Sequence, residues 1–204
     1  SRKRILESAA AIAARRGYEG TTMSLVSQHS GLPPSSIYWH FGSKDGLLAA
    51  VMEYGWKLWY ETIPSWDDMP QPVEDRVLPW LTEVANALSG ESEFLRFGLL
   101  LTLEKREHEP QARSTFIRIH QDALGGFADT LVKARQALDL PCSEAFAREL
   151  AITFIALVNG AFVERYANPG FQDLISTIRW FYLILASATE VPEPTLPSYS
   201  KQQR

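Results

Sequence analysis

Residues 21–44 read Thr21-Thr22-Met23-Ser24-Leu25-Val26-Ser27-Gln28-His29-Ser30-Gly31-Leu32-Pro33-Pro34-Ser35-Ser36-Ile37-Tyr38-Trp39-His40-Phe41-Gly42-Ser43-Lys44. Thr21 and Thr22 offer side-chain oxygens as caps for a short helix with Leu25 and Val26 on its inner side. Gly31 ends that helix. Pro33-Pro34 forces an extended entry, and Pro34 suits the first position of a second short helix running to about His40. Gly42 and Ser43 interrupt the chain again, and Ser43 caps a longer helix from Lys44 toward Tyr60. Two short helices joined across a tight glycine turn have the layout of a helix-turn-helix. Leu25, Val26, Leu32, Ile37 and Phe41 make its expected core. Ser35, Ser36, Tyr38, Trp39 and His40 make an outer face of small polar and aromatic side chains suited to a major groove. Lys44 sits at a helix start, where backbone N–H groups and a cation together can grip a phosphate.

Upstream, Ile5, Leu6, Ala9, Ile12 and Ala13 recur at helical spacing, and Gly17 is expected to stop that helix after Arg15-Arg16. Downstream, Ser65–Pro72 is rich in Pro and Asp and reads as a loop. Helical patterns follow over Val73–Leu88, Glu93–Lys105, Gln111–Leu138, Glu144–Tyr166 and Phe171–Thr189. Pro141-Cys142-Ser143 and Asn168-Pro169-Gly170 break the sequence between them. No convincing strand pattern or internal repeat is present. The expected fold is all-α: a helix-turn-helix domain over residues 1–48, a helical ligand-binding and dimerisation domain over 49–190, and a Pro-rich disordered tail over 191–204.

Charge is distributed to match. Residues 1–48 carry six Lys/Arg (Arg2, Lys3, Arg4, Arg15, Arg16, Lys44) against Glu7, Glu19 and Asp45, a balance of +3. The whole chain stands at −4, so the remainder holds −7. A basic end on an acidic body suits a polyanion at one end only. Cys142 is the single cysteine, which excludes an intrachain disulfide and favours a reducing compartment. The apolar runs Ala151–Val158 and Phe181–Ala186 are short for a bilayer span, so no membrane partner is expected and a cytoplasmic location is.

Thr21-Thr22-Met23, Gly31-Leu32 and Ser36-Ile37-Tyr38-Trp39-His40-Phe41-Gly42-Ser43-Lys44-Asp45-Gly46-Leu47-Leu48 together resemble the TetR family signature, which covers about a quarter of the chain. The resemblance implies a homodimer on a palindromic double-stranded DNA operator. It also implies a C-terminal domain whose ligand changes the spacing of two DNA-reading heads. By the same resemblance, Tyr38, Trp39 and His40 are groove and phosphate contacts, Lys44 a phosphate anchor, and Thr22 a cap that also reaches the DNA backbone. One departure is the Pro33-Pro34 pair, where many members carry Ser-Lys, so a hydroxyl cap and a cationic contact are missing.

The helix expected over 144–166 is apolar on two faces, with Phe146, Leu150, Phe154, Leu157 and Ala161 on one and Ile152, Ile155, Val158 and Phe162 on the other. The last helix is similar, through Leu174, Ile175, Ile178, Phe181, Tyr182 and Ile184. Two such helices need two burials, one inward and one against a partner, so a four-helix dimer contact is expected, with Ile155 and Phe181 as its candidate positions.

Aromatic residues are dense from Trp56 onward, including Trp59, Tyr60, Trp66, Trp80 and Phe94, and suggest a cavity for an apolar or aromatic effector. Trp59, Phe97, Leu101, Phe116, His120, Phe154 and Asn159 are its expected walls, with Thr102 and Gln121 as further polar candidates.

Enzymatic motifs are missing: there is no H-E-x-x-H, G-x-S-x-G, P-loop or G-x-G-x-x-G. Glu104 and His108 share an i, i+4 spacing, but the charged residues around them read as a solvated face. No catalytic centre, metal or cofactor is expected. The leading reading is a ligand-responsive DNA-binding regulator, in most cases of this family a repressor. The alternative is a dimeric small-molecule binding protein whose heads do not bind DNA.

Overall fold

The computed structural model describes residues 1–89, 93–104, 110–168, 170 and 174–187. Among them the chain forms α1 (Arg2–Gly20), α2 (Met23–Ser30), α3 (Pro34–Phe41), α4 (Lys44–Tyr60), α5 (Val77–Ser89), α6 (Glu93–Leu103), α7 (Gln111–Ala137), α8 (Glu144–Ala167) and α9 (Leu174–Ser187), with no strand. The all-α expectation holds. The tail expected from residue 191, like Lys105, His108 and Phe171, lies outside the described residues.

The expected caps are in place. Thr22 Oγ1 accepts from the Leu25 N–H at 3.2 Å, Ser43 Oγ from Gly46 at 2.9 Å, and Ser143 Oγ from Phe146 at 3.2 Å. Each satisfies one of the orphan donors at a helix start. Gly31 closes α2 in the left-handed conformation. Gly17 interrupts α1 rather than ending it: its φ of 67° and ψ of −171° break the helical backbone, and the helix resumes to Gly20. The segment expected as one helix from Val73 is also divided. A single 3-10 turn, Val73–Asp75, precedes α5, and Arg76 between them is tied back by its Nε to Gln71 O (2.7 Å) and by Nη1 to Trp66 O (3.3 Å).

Two sets of buried side chains build the molecule. The first joins Ile5, Leu6, Ala9, Val26, Ile37, Leu47, Leu48, Val51 and Met52 to Phe97 and Leu101 of α6 and to Ala112, Phe116 and Ile119 of α7. Val26 and Ile37 are fully buried as expected, whereas Leu25, Leu32 and Phe41 are only half-buried. The core beneath the helix-turn-helix is therefore completed by α6 and α7, and residue 48 falls inside the continuous helix α4. The second set packs α5, α7, α8 and α9 around Trp66, Trp80, Leu81, Leu131, Leu150, Phe154, Phe162, Ile178 and Phe181.

Helix α8 is long and apolar enough, by length and composition, to cross a bilayer, which the reading of its short apolar runs had excluded. One side of it, Leu150, Ala151, Phe154, Val158 and Ala161, packs into the second core, so it is a bundle helix. The face assignment also changes: Val158 and Phe162 point inward with Phe154, while Ile152 and Val163 are exposed.

Arg135 is buried completely within this second core. Its Nε and Nη2 donate to Pro141 O at 3.0 and 2.9 Å, and its Nη1 to Leu185 O at 2.9 Å. The guanidinium lies 4.9 Å above the Phe146 ring. One side chain thus pins the α7–α8 connection and satisfies an orphan carbonyl in the last turn of α9. Arg135→Ala is expected to lower unfolding stability by about 3 kcal/mol, because the buried carbonyls lose charge-assisted partners. Arg135→Lys should recover little of it, since an ammonium cannot reproduce the fork. Urea unfolding of the three proteins measures both.

Candidate nucleic-acid interface and candidate ligand cavity

Helix α3 presents its outer side to solvent. Trp39 is 81% and Tyr38 50% exposed, Ser35 is exposed, and Ser36 and His40 are half-buried. The Trp39 and His40 rings meet edge to face at 4.7 Å, and His40 Nε2 lies 3.1 Å from Ser1 Oγ. Pro33, at the N-cap, makes no side-chain cap, and Pro34 takes the first turn, so α3 begins by backbone geometry alone.

Lys44 opens α4 next to this face. It is engaged within the chain: Nζ lies 3.8 Å from Glu19 Oε2, 3.5 Å from Glu19 O and 4.5 Å above the Tyr18 ring. The acid side chain is largely solvated, so this is a weak surface pair that a stronger anion can displace. Asp45, the next residue, turns the other way. Its Oδ2 accepts from the Gln111 N–H at 2.9 Å and its Oδ1 from the Ala112 N–H at 3.4 Å, which caps α7 with a carboxylate from α4.

A cavity of about 510 Å³ opens between α4, α5, α6, α7 and α8. Of the expected walls, Trp59, Phe116, His120, Phe154 and Asn159 line it. Phe97 and Leu101 do not. They are buried in the first core with Ile5 and Leu48. Leu95 does line the cavity, and at about 100° per residue it lies roughly 200° around the helix from Phe97, so the two face opposite sides of α6. Thr102 and Gln121 are exposed and are not among its lining residues; Thr102 donates to Gly98 O at 2.9 Å.

Of the other aromatics that suggested a cavity, Trp56, Tyr60, Trp66, Trp80 and Phe94 also line it, and the walls not anticipated include Ile63, Ile119, Phe127, Ile155 and Val158. Trp66 comes from the segment read as a loop, where a 3-10 turn over Trp66–Asp68 directs it inward. Its only signal was an aromatic in an otherwise polar stretch. Ile155, expected at a dimer contact, is a cavity wall instead, and Phe181 is fully buried in the second core.

Flat rings make one wall: Phe127 stacks on Phe154 at 4.3 Å and 19°, and on Trp80 at 5.2 Å and 23°. Trp80 Nε1 donates to Pro64 O and Trp59 Nε1 to Ala87 O, both at 3.1 Å. Charged lining residues are paired, Lys133 with Asp67 at 2.7 Å and Asp122 with Arg118 at 3.6 Å. Burial lowers the His120 pKa from 6.5, so its imidazole is mostly uncharged at neutral pH. Among the described residues no three His, Cys, Asp or Glu side chains cluster in a way that could hold a metal.

Residues 5–51 match the family model described as bacterial regulatory proteins, tetR family. Solved structures share the architecture. E. coli NemR in its reduced form is 18% identical over 92% of this chain and 99% of its own, with a TM-score of 0.73. A TetR transcriptional regulator from Legionella pneumophila is 15% identical over 89% and 95%, with a TM-score of 0.70. A protein from Saccharomonospora viridis solved in complex with choline is 20% identical over 91% and 95%, with a TM-score of 0.68. Curated protein sequences gave no match. At these identities the structures establish the shared fold, and residues 5–51, the helix-turn-helix and its flanking helices, carry the DNA-binding region of the tetR family of bacterial regulatory proteins.

Proposed function

We propose that the protein is a dimeric repressor that grips a palindromic operator and is released by an apolar or aromatic small molecule entering the α4–α8 cavity. The observation that carries this reading is the solvent-facing side of α3. An 81%-exposed Trp39 beside Tyr38, on a short helix in a basic head, is left largely to solvent apart from its edge contact with the adjacent His40 ring. It suits the edge of a major groove. Ser35 and Ser36 are the candidates for base-edge contact, Tyr38, Trp39 and His40 for groove and phosphate contact, and Thr22 and Lys44 for phosphate alone. The site of action is the cytoplasm, where a bacterial operator lies.

Dimerisation has a surface to use. Ile152, Val163 and Tyr166 of α8 and Trp180, Leu183 and Ile184 of α9 are exposed apolar side chains on adjacent helices, and Trp180 is 70% exposed. Pairing this face with its own copy gives a symmetric four-helix contact.

The route from cavity to head runs through α7. That helix supplies Phe116, Ile119, His120, Ala123, Phe127 and Thr130 to the cavity, and its first two N–H groups are held by Asp45, one residue from Lys44. Arg118 of α7 also reaches Glu53 of α4 at 3.1 Å. Displacement of α7 by a ligand therefore pulls on the first turn of α4, where the head begins.

The primary test is a salt titration of operator binding. Lys44→Ala removes two phosphate contacts per dimer and is expected to make the slope of log affinity against log salt shallower by about two, equally for all operator variants. Glu19→Gln frees Lys44 from its resident partner and should tighten binding to every DNA sequence alike. An unchanged slope for Lys44→Ala, with helix content intact, would remove Lys44 from the interface.

For assembly, the wild type should sediment near twice the 23.0 kDa chain mass. Trp180→Glu should give folded monomers, because a charge would be stranded in the contact. A wild type that is monomeric at micromolar concentration would overturn the dimer.

For coupling, Asp45→Ala should cost about 1 kcal/mol of stability through the lost cap. It should also reduce the factor by which a bound effector weakens DNA binding, with an equal reduction in the reverse direction. Retention of the full factor would show that the coupling does not pass through Asp45.

A further inference from the structure

The cavity chooses its ligand by what it leaves unsatisfied. His120 and Asn159 both line it, and both are half-buried. Neither side chain has a hydrogen-bond partner among the described residues, and neither leaves a polar atom sealed from solvent, so both are open to a partner that enters the cavity. A neutral imidazole offers one donor and one acceptor, and an amide offers two donors and an acceptor. The pair therefore suits a ligand group that both gives and accepts a hydrogen bond, or one that accepts two.

Charge narrows the choice further. The lining ammonium of Lys133 is matched to Asp67 and the Asp122 carboxylate to Arg118. A ligand carboxylate or phosphate finds no uncompensated cation among the described lining residues, and a ligand amine finds no uncompensated carboxylate. Burying an unpaired ion there would cost far more than burying a hydroxyl.

Shape supplies the rest. Trp80, Phe127 and Phe154 form a stack of nearly parallel rings, and the ring N–H groups of Trp59 and Trp80 are already committed to backbone carbonyls. What these side chains offer the cavity is apolar aromatic surface, against which another ring can pack edge to face or offset. A volume of about 510 Å³ admits a skeleton of two or three fused rings.

We propose that the cavity takes an uncharged, planar aromatic compound bearing a hydroxyl or carbonyl, packed against the Trp80–Phe127–Phe154 wall and hydrogen-bonded by His120 and Asn159. This rests on the cavity being the effector site, and it names the chemical class that site accepts.

Equilibrium dialysis of the full chain without DNA tests the class with four probes on one skeleton: 2-naphthol, naphthalene, 2-naphthoate and 2-naphthylmethyl-trimethylammonium. The alcohol is expected to bind about tenfold tighter than each of the other three, a difference of the size that one or two hydrogen bonds supply. His120→Phe and Asn159→Leu should each bring 2-naphthol down toward naphthalene while leaving naphthalene binding in place, which separates a polar contact from damage to the cavity. Equal or tighter binding of the anion or the cation overturns the proposal, as does parity between 2-naphthol and naphthalene or no binding of any probe. If 2-naphthol binds as expected but leaves operator DNA bound, the effector reading of the cavity fails and the ligand class stands.

Discussion

Leu47, Leu48, Val51 and Met52 are almost wholly removed from solvent, and the side chains that cover them come from both ends of the molecule. Ile5, Leu6, Val26 and Ile37 close over them from the helix-turn-helix, and Phe97, Leu101, Ala112 and Phe116 from the larger bundle. Because a close-packed core has few discrete arrangements, α4 cannot shift against one of these groups without disturbing the other. The first turn of the same helix carries Lys44 and Asp45, and its last turns carry Trp56, Trp59 and Tyr60 into the cavity. The proposed phosphate anchor, the joint and a wall of the cavity thus share one helical rod.

Phe116 occupies the place where the two burials touch. It belongs to the first core, it lines the cavity, and its ring lies against Gly98 so closely that an added Cβ would overlap it. Glycine is needed at residue 98 for that approach, as it is at residue 55, where a Cβ would stand 2.9 Å from Phe94. Two aromatic walls are therefore seated directly on helix backbones. A ligand pressing on either ring acts on α4 or α6 with little slack between them.

Electrostatics divides the molecule in a complementary way. The charged residues that line the cavity are paired, Lys133 with Asp67 and Asp122 with Arg118, and burial favours the uncharged form of His120. At the start of α4, by contrast, Lys44 is lightly held by Glu19 in a solvated pair whose worth is small. A phosphate bearing a full charge and several acceptor oxygens competes well for that ammonium.

The helix-turn-helix was legible in the residues themselves. Its devices are local: a Thr22 cap, a Gly31 with positive φ, Pro34 in a first turn and a Ser43 cap each act within three or four residues, so sequence order alone specifies them. The exposed side of α3 was legible for the same reason, since eight residues of helix leave few choices of face. The all-α class and most helix boundaries followed from periodicity and breaks, and the positive φ at Gly17 breaks α1 there, as its glycine suggested, with a short helical stretch continuing to Gly20. What only the tertiary structure decided was which apolar face meets which neighbour. Phe97 and Leu101 carry the same chemistry as Leu95 and Phe94, yet they fill the first core because α1 packs on that side of α6. Phe181 was expected outside and is inside, and Trp180, one residue away and about 100° around the helix, is left on the surface. Hydrophobic burial is non-directional, so an apolar side chain states that it will be covered without stating by what. That answer comes from contacts between residues far apart in the chain, as when Asp45 closes the N-terminus of α7 across 66 residues of sequence.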